Sequence, residues 1–253
     1  MNEINEINEQ ENMILEGRNA ITEALRGGRP IDKILVKSGD VEGSIRALAA
    51  KAKDAGILVS FVPKAEIDRL SETGRHQGIV AICAAHEYAT LEGILNLAKE
   101  RREDPFVIIL DGVTDPHNLG AIIRSAEAAG AHGVVIPKRR SASLTAVVMR
   151  VSAGAAEHLP VARVTNISNT IKELKKNGVW VAAATMDGQI MYEANLTGPL
   201  ALVVGGEDSG VSRLVADNCD FLVNIPMKGK IGSLNASVAA AVLMFEVLRR
   251  RQG

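Results

Sequence analysis

The sequence predicts an α/β protein with a C-terminal domain built on a parallel sheet and a smaller N-terminal α/β domain before it. Three observations carry this reading. Five short apolar runs in the second half, at residues 106–110, 133–136, 179–184, 200–204 and 221–225, lack polar alternation, and helical segments separate most of them. Strands of that kind belong to a parallel sheet covered on both faces. The first part of the chain alternates shorter helical and strand-like stretches, as a small α/β domain does. Between the two lies the charged run Lys99-Glu100-Arg101-Arg102-Glu103-Asp104, where a domain boundary is expected.

The elements follow in order. Residues 1–12 repeat Asn-Glu-Ile, carry four acids and no base, and have no core pattern, so they read as a disordered acidic tail. Residues 13–88 form the small domain. A helix at 18–25 buries Ala20, Ile21, Ala24 and Leu25 and is closed by Gly27-Gly28. A strand at 31–36 precedes a helix at 44–55 stopped by Gly56. A strand at 57–62 is stopped by Pro63, a short helix spans 64–70, and a strand spans 79–84. The polar loop Ser71–Gly78 is glycine-framed and is read as displaying Arg75, His76 and Gln77. Loops carry function more often than cores do, although a solvated connector is the commoner role for any one loop. Residues 89–105 read as a helical linker, and residues 106–253 as the second domain.

Composition narrows the class. Hydrophobic residues make up 47% of 253 and charged ones 23%, enough to supply a packed core. Cys83 and Cys219 are far apart, with no CxxC or Cys/His spacing, which argues against a disulfide scaffold or a metal site and for a reducing cytosol. No apolar run has the length of a membrane span, and the polar, acidic N-terminus is no secretory signal; a cytoplasmic protein is expected. The net charge of −1 hides local basic clusters: Lys138-Arg139-Arg140, Lys172 with Lys175-Lys176, Lys228 with Lys230, and Arg249 to Arg251. Such patches can bind phosphate although the total is near zero.

In parallel α/β sheets the ligand sits beyond the carboxyl ends of the strands. Here those ends run into Asp111-Gly112, Pro137-Lys138, Thr185-Met186-Asp187, Gly205-Gly206-Glu207 and Pro226-Met227. After the first comes a helix with Asp115 as N-cap, Pro116 in its first turn and Gly130 as its stop. At about 100° per residue, His117, Gly120 and Arg124 share one stripe of that helix, and Asn118 lies about 120° from Arg124. Gly120 beneath Arg124 reads as room for a substrate, and the competing role of Arg124 is a surface pair with Glu127 or Glu157. The last helix opens at Ser233 or Asn235, after a loop broken by Gly229 and Gly232, and ends in three arginines that suit its negative pole. That loop could hold an anion or the polar edge of a cofactor, or simply turn the chain into a buried C-terminal helix.

Standard signatures are missing. The run Gly205–Gly210 lacks GxGxxG spacing, and there is no GxxxxGK[ST], HExxH or GxSxG. What remains is a glycine-turned slot at the strand ends, walled by Ile225, Met227 and Leu234, suited to a flat, mostly neutral heterocycle with a polar tail.

The blocks at residues 115–130, 202–210 and 225–241, in this order and spacing, resemble the three motifs of the SpoU/TrmH family of RNA ribose 2′-O-methyltransferases, in the SPOUT superfamily. Leu15-Glu16-Gly17-Arg18-Asn19-Ala20 and Arg75-His76-Gln77-Gly78 resemble the small RNA-recognition domain that many members carry. The combination is most similar to the bacterial 23S rRNA guanosine-2′-O-methyltransferase branch.

The resemblance implies S-adenosylmethionine as cofactor, a deep trefoil knot in the C-terminal chain, RNA as partner and a homodimer, with no metal. It implies that Gly205, Ile225 and Leu234 hold the adenosine part through their backbones, with Thr185, Met227 and Ser233 around it. Asn118, Arg124, Glu207, Ser233 and Asn235 would form the polar catalytic set. Arg18, Arg75, His76 and Gln77 of the small domain would contact RNA, and the basic cluster Lys138, Arg139 and Arg140 is the candidate RNA contact of the second domain on its charge. Asp208 stands where members usually have Gly, which puts the turn of the second motif in question. Two further readings stand beside this one, a tRNA ribose methyltransferase and a catalytically silent RNA-binding assembly protein on the same fold. A nucleotide-binding oxidoreductase loses support from the missing glycine fingerprint.

Overall fold

The computed structural model describes residues 13–71, 73–207, 209–230 and 232–252. The expected acidic tail and Asp208 fall outside these. The described residues divide into two compact units, residues 13–87 with 143–147, and residues 88–142 with 148–252.

The first unit contains β1 (Met13–Glu16), α1 (Gly17–Arg26), β2 (Ile31–Lys37), α2 (Gly43–Asp54), β3 (Leu58–Val62), α3 (Lys64–Leu70) and β4 (Ile79–Cys83). Its sheet has the order β1-β4-β2-β3, with β2 and β3 parallel and the other pairs antiparallel. One face packs Ile34, Val36, Ile79 and Ala81 against Ile21 of α1 and Ile45 and Leu48 of α2. The other packs Leu35, Val80 and Ile82 against Ile67 and Leu70 of α3. This alternation along each strand is what places a helix layer on both sides. Strand β1 escapes the sequence pattern because four residues are too few to show a period.

The second unit continues with α4 (Leu91–Arg101), β5 (Phe106–Asp111), α5 (Pro116–Ala128), β6 (Gly133–Pro137), β7 (Val161–Val164), α7 (Ile167–Lys176), β8 (Trp180–Ile190), β9 (Leu200–Gly205), α8 (Arg213–Ala216), β10 (Phe221–Asn224) and α9 (Ala236–Gln252). The short helix α6 (Ala146–Val151) straddles the division between the units. All five strand pairs of the sheet β10-β8-β9-β5-β6-β7 are parallel. The sixth strand is β7, whose pattern is broken by Arg163.

The stretch read as a linker is corrected: α4 is a core element. Leu91, Ile94 and Leu95 are buried with Val107 and Ile109 of β5 and with Ile167, Ile171 and Leu174 of α7. On the other sheet face lie α5 and α9, packed on each other and on β6 and β9. Thr90 caps α4 by accepting from Gly93 N, and Asn166 caps α7 by accepting from Asn169 N.

Two polar side chains, one buried and one half-buried, tie the amino edge of this sheet. His132, fully buried, accepts from Phe106 N at Nδ1 (3.0 Å) and pairs through Nε2 with Glu103 (3.1 Å). Burial holds its pKa below the ordinary histidine value, against the pull of Glu103. At the end of α9, the Arg251 guanidinium donates to the carbonyls of Asp104 (3.0 Å), Pro105 (3.0 Å) and Gly198, and lies over the Phe106 ring.

Candidate active site

The carboxyl ends of β8 and β9 and the start of α9 enclose a cleft of about 750 Å³, within the usual range for small-molecule sites. Each wall follows from a local feature of the sequence.

The first wall is a strand excursion. The β8–β10 ladder skips from Ala183–Leu222 to Gln189–Val223, so residues 184–188 leave it as a bulge. Ala184, Thr185, Met186 and Asp187 thereby face the cleft. Gly188 permits the return, because a Cβ there would lie 2.5 Å from Val223 N. A glycine inside a strand is the available sequence signal for such a bulge; Asp187 and Met186 were not among the candidate residues.

The second wall is the loop after β9. A Cβ on Gly205 would lie 1.9 Å from Gly210 C, and one on Gly206 would lie 2.3 Å from Gly112 O. Both positions therefore require glycine, so that three backbone segments can pass in contact. Asp111, at the end of neighbouring β5, staples this loop at both ends. Its carbonyl accepts from Gly206 N (2.9 Å) and its carboxylate accepts from Ser212 N (2.8 Å). The third wall is made by Ile225, Met227, Gly232, Ser233 and Leu234, with Ala236, Ala239 and Leu243 of α9.

A hydrogen-bonded cluster joins the second and third walls to α5. Asp115 Oδ1 accepts from His117 N (2.9 Å) and caps α5, which sets Asn118 in the first turn, 6% exposed. Asn118 Nδ2 donates to Glu207 Oε1 (3.0 Å), Asn235 Nδ2 donates to Asn118 Oδ1 (3.0 Å), and Asn235 Nδ2 also donates to Glu207 Oε1. Asn235, rather than Ser233, caps α9: its Oδ1 accepts from Ser237 N (2.9 Å) and Val238 N (3.3 Å). One short polar side chain thus both starts the last helix and joins the cluster.

The candidate residues distribute as follows. Gly205, Thr185, Ile225, Met227, Ser233 and Leu234 all line the cleft, as does Glu207. Asn118, Glu207 and Asn235 meet through their side chains. Arg124 is exposed on α5, outside both the cleft lining and this cluster, and has no ion-pair partner among the described residues. The reading of Gly120 as room for a substrate is corrected: a Cβ there would lie 2.7 Å from the Val151 side chain, so Gly120 admits α6 to α5. Of the two loop glycines, Gly232 lines the cleft. Burial pushes the Cys219 thiol up to about 12, and raises that of Cys83 as well, so neither is poised as a thiolate nucleophile.

In the N-terminal unit, Arg18 and Gln77 meet where α1 opens. Gln77 Oε1 accepts from Arg18 N (3.1 Å), while the Arg18 guanidinium donates to Ser44 Oγ (2.7 Å). Arg75, two residues before Gln77 in the same loop, is exposed. The reading of His76 as a displayed contact is corrected. Its ring is buried, accepts from Gly78 N at Nδ1 (2.9 Å) and donates from Nε2 to Asp68 (2.8 Å). It anchors the loop that presents Arg75. The Glu16 carboxylate holds the same loop by accepting from Ser71 Oγ, Thr73 N and Thr73 Oγ1. In the second unit, Lys138 is half-buried, and Arg139 and Arg140 are exposed in the turn after β6.

Comparison with known proteins gives this geometry a lineage. Residues 14–89 match the RNA 2′-O ribose methyltransferase substrate-binding family, and residues 105–245 match the SpoU rRNA Methylase family. A Bacillus subtilis protein assigned to the TrmH family of tRNA/rRNA methyltransferases is 48% identical over 237 residues, 93% of this chain and 94% of that protein. Among solved structures, an AdoMet-bound rRNA methyltransferase from Sinorhizobium meliloti aligns with a TM-score of 0.57 at 26% identity. The alignment covers 97% of this chain and 94% of that one. An RNA 2′-O ribose methyltransferase aligns with a TM-score of 0.53 at 28% identity, covering 97% and 91%. The chain belongs to the SpoU rRNA Methylase family of RNA methyltransferases.

Proposed function

We propose that this protein binds S-adenosylmethionine in the cleft and methylates a ribose 2′-hydroxyl of RNA, with a guanosine of 23S rRNA as the target. The supporting observation is the convergence of the six candidate cofactor positions on one cleft, with the Asn118–Glu207–Asn235 cluster reaching it through Glu207. The cofactor fits the residues present. Thr185 Oγ1 is buried at this wall without a hydrogen-bond partner among the described residues, a cost that a ligand's polar group would relieve. Apolar Ile225, Met227 and Leu234 supply surface for the flat base, and the backbones of Gly205, Ile225 and Leu234 supply polar atoms for its edge. When bound, S-adenosylmethionine supplies an electrophilic methyl group on its sulfonium.

The chain's own groups supply position. Asn118 and Asn235 both donate to Glu207, so that carboxylate has one fixed orientation beside the cleft. A ribose hydroxyl is a poor nucleophile and requires close alignment and loss of its proton. Arg124 is permanently cationic and so unsuited as a simple base. In this reading it grips a phosphate next to the target and orients the hydroxyl. Arg124→Lys retains charge but loses the guanidinium fork, and methyl transfer should fall at least roughly tenfold. A wild-type rate in that variant would remove the orienting role.

The N-terminal unit is assigned to RNA recognition through Arg18, Arg75 and Gln77; the substrate-binding family match at residues 14–89 supports this. We also assign a knotted path to the C-terminal chain, supported by the close backbone approaches at Gly205 and Gly206, and a cytoplasmic homodimer. Val238 and Phe245, seven residues apart on α9 and both about half exposed, support pairing of that helix. Calorimetry with S-adenosylmethionine, followed by tritium transfer from it to rRNA, tests the central assignment. Absence of cofactor binding would overturn it in favour of a silent RNA-binding protein.

A further inference from the structure

The turn after β6 is more firmly built than a solvated basic loop needs to be. Lys138 N donates to Val164 O (2.8 Å), and Lys138 O accepts from Arg163 Nη2 (3.3 Å). The Arg163 guanidinium in turn lies over the Tyr88 ring, 5.2 Å from its centre. At the far end of the turn, Ala142 N donates to Val113 O (2.9 Å), in the short loop that leads from β5 to the Asp115 cap and Asn118. Between these anchors Arg140 adopts a left-handed backbone, φ 56°. A non-glycine residue holds such a conformation only where its surroundings fix it. Arg139 and Arg140 are exposed and have no acidic partner among the described residues.

The position is as telling as the rigidity. All strands of the sheet are parallel, so this turn lies on the same edge as the cleft. Strand β6 is separated from β9 only by β5, which puts the two strand ends about 10 Å apart at ordinary strand spacing. One face of Tyr88 is covered by Arg163, so what the turn presents is two exposed guanidinium groups on a braced backbone. Guanidinium groups displayed in this way suit the phosphate backbone, contacts to which set register without selecting sequence.

We propose that Lys138–Arg139–Arg140 is a phosphate clamp for the RNA strand flanking the target ribose, and that Arg163, stacked on Tyr88, is the positioning residue that holds the clamp in register with Asn118. The proposal rests on the RNA reading above and adds which RNA group is bound and what aims the turn.

The test is fluorescence anisotropy of a labelled 23S rRNA transcript with the full-length protein over a range of potassium chloride, with S-adenosylmethionine calorimetry on each variant. The double variant Arg139→Ala/Arg140→Ala, both positions exposed, should keep wild-type cofactor affinity. Its slope of log K against log salt should become shallower by about 1.4, the loss of two single-strand phosphate contacts. Arg163→Ala should weaken RNA binding with cofactor affinity unchanged, and Arg163→Lys should behave like Ala, because lysine lacks the planar stack. No RNA binding by the wild type would overturn the RNA reading and the clamp with it. Wild-type binding with an undiminished slope in the double variant would overturn the clamp alone. Rescue by Arg163→Lys, or joint loss of cofactor and RNA binding in Arg163→Ala, would overturn the brace.

Discussion

Asp111 is the residue whose removal tests the architecture of the cleft most specifically. It lies at the end of central strand β5, lines no part of the cleft, and holds the Gly206–Ser212 loop from behind. In Asp111→Ala the backbone contact with Gly206 remains, but Ser212 N loses its carboxylate acceptor at 2.8 Å. A hydrogen bond to a charged group contributes about 1.5–3 kcal/mol. If about 2 kcal/mol of that holds the loop in its binding conformation, cofactor affinity should fall roughly 30-fold. Asp111→Asn retains an acceptor oxygen and should fall only about threefold. Calorimetry with S-adenosylmethionine reads the affinity, and urea denaturation reads global stability separately. Wild-type affinity in Asp111→Ala would refute the stapling argument. An equal loss in Asn and Ala would show that the acceptor is not what matters.

Three other perturbations have definite directions. Gly205→Ala places a methyl 1.9 Å from Gly210 C, and should abolish measurable cofactor binding by calorimetry, because backbone on both sides leaves no side chain to yield. Arg251→Ala frees the Asp104, Pro105 and Gly198 carbonyls from α9 and should lower unfolding free energy in urea by about 2 kcal/mol, with Arg251→Lys intermediate. For His132, whose folded pKa lies below its unfolded value, the unfolded chain binds the extra proton. Stability is therefore fully present above about pH 6.5 and is lost as pH falls from there toward the lowered folded value. His132→Asn keeps an acceptor for Phe106 N, and its denaturation midpoint should change less than the wild type's across that interval.

Much of this was legible in the sequence because the second sheet is buried on both faces. Runs such as Phe106–Asp111 and Leu200–Gly205 have no polar partner face to disguise them, and caps such as Asp115 and Asn235 act within their own turn. What the sequence hid depends on distant partners. Residues 185–187 read as the polar end of a strand that stops at 184, and only the structure shows β8 running on to Ile190 while β10 skips residues 184–188. Gly120 reads as an opening until Val151 is seen to fill it. His76 is polar and sits in a polar loop, and only its bonds to Asp68 and Gly78 reveal a buried anchor. Residues 89–105 read as a linker because the charged end of α4 masks the apolar stripe of Leu91, Ile94 and Leu95.

Methylation of a ribose hydroxyl in rRNA is read most directly from a map of 2′-O-methyl groups on 23S rRNA and tRNA from cells with and without this gene. One guanosine of 23S rRNA should lose its 2′-O-methyl group in the deletion and regain it when the gene is restored. Unchanged rRNA with a methyl group missing from a tRNA would contradict the substrate assignment, and unchanged maps of both RNAs would contradict the catalytic one.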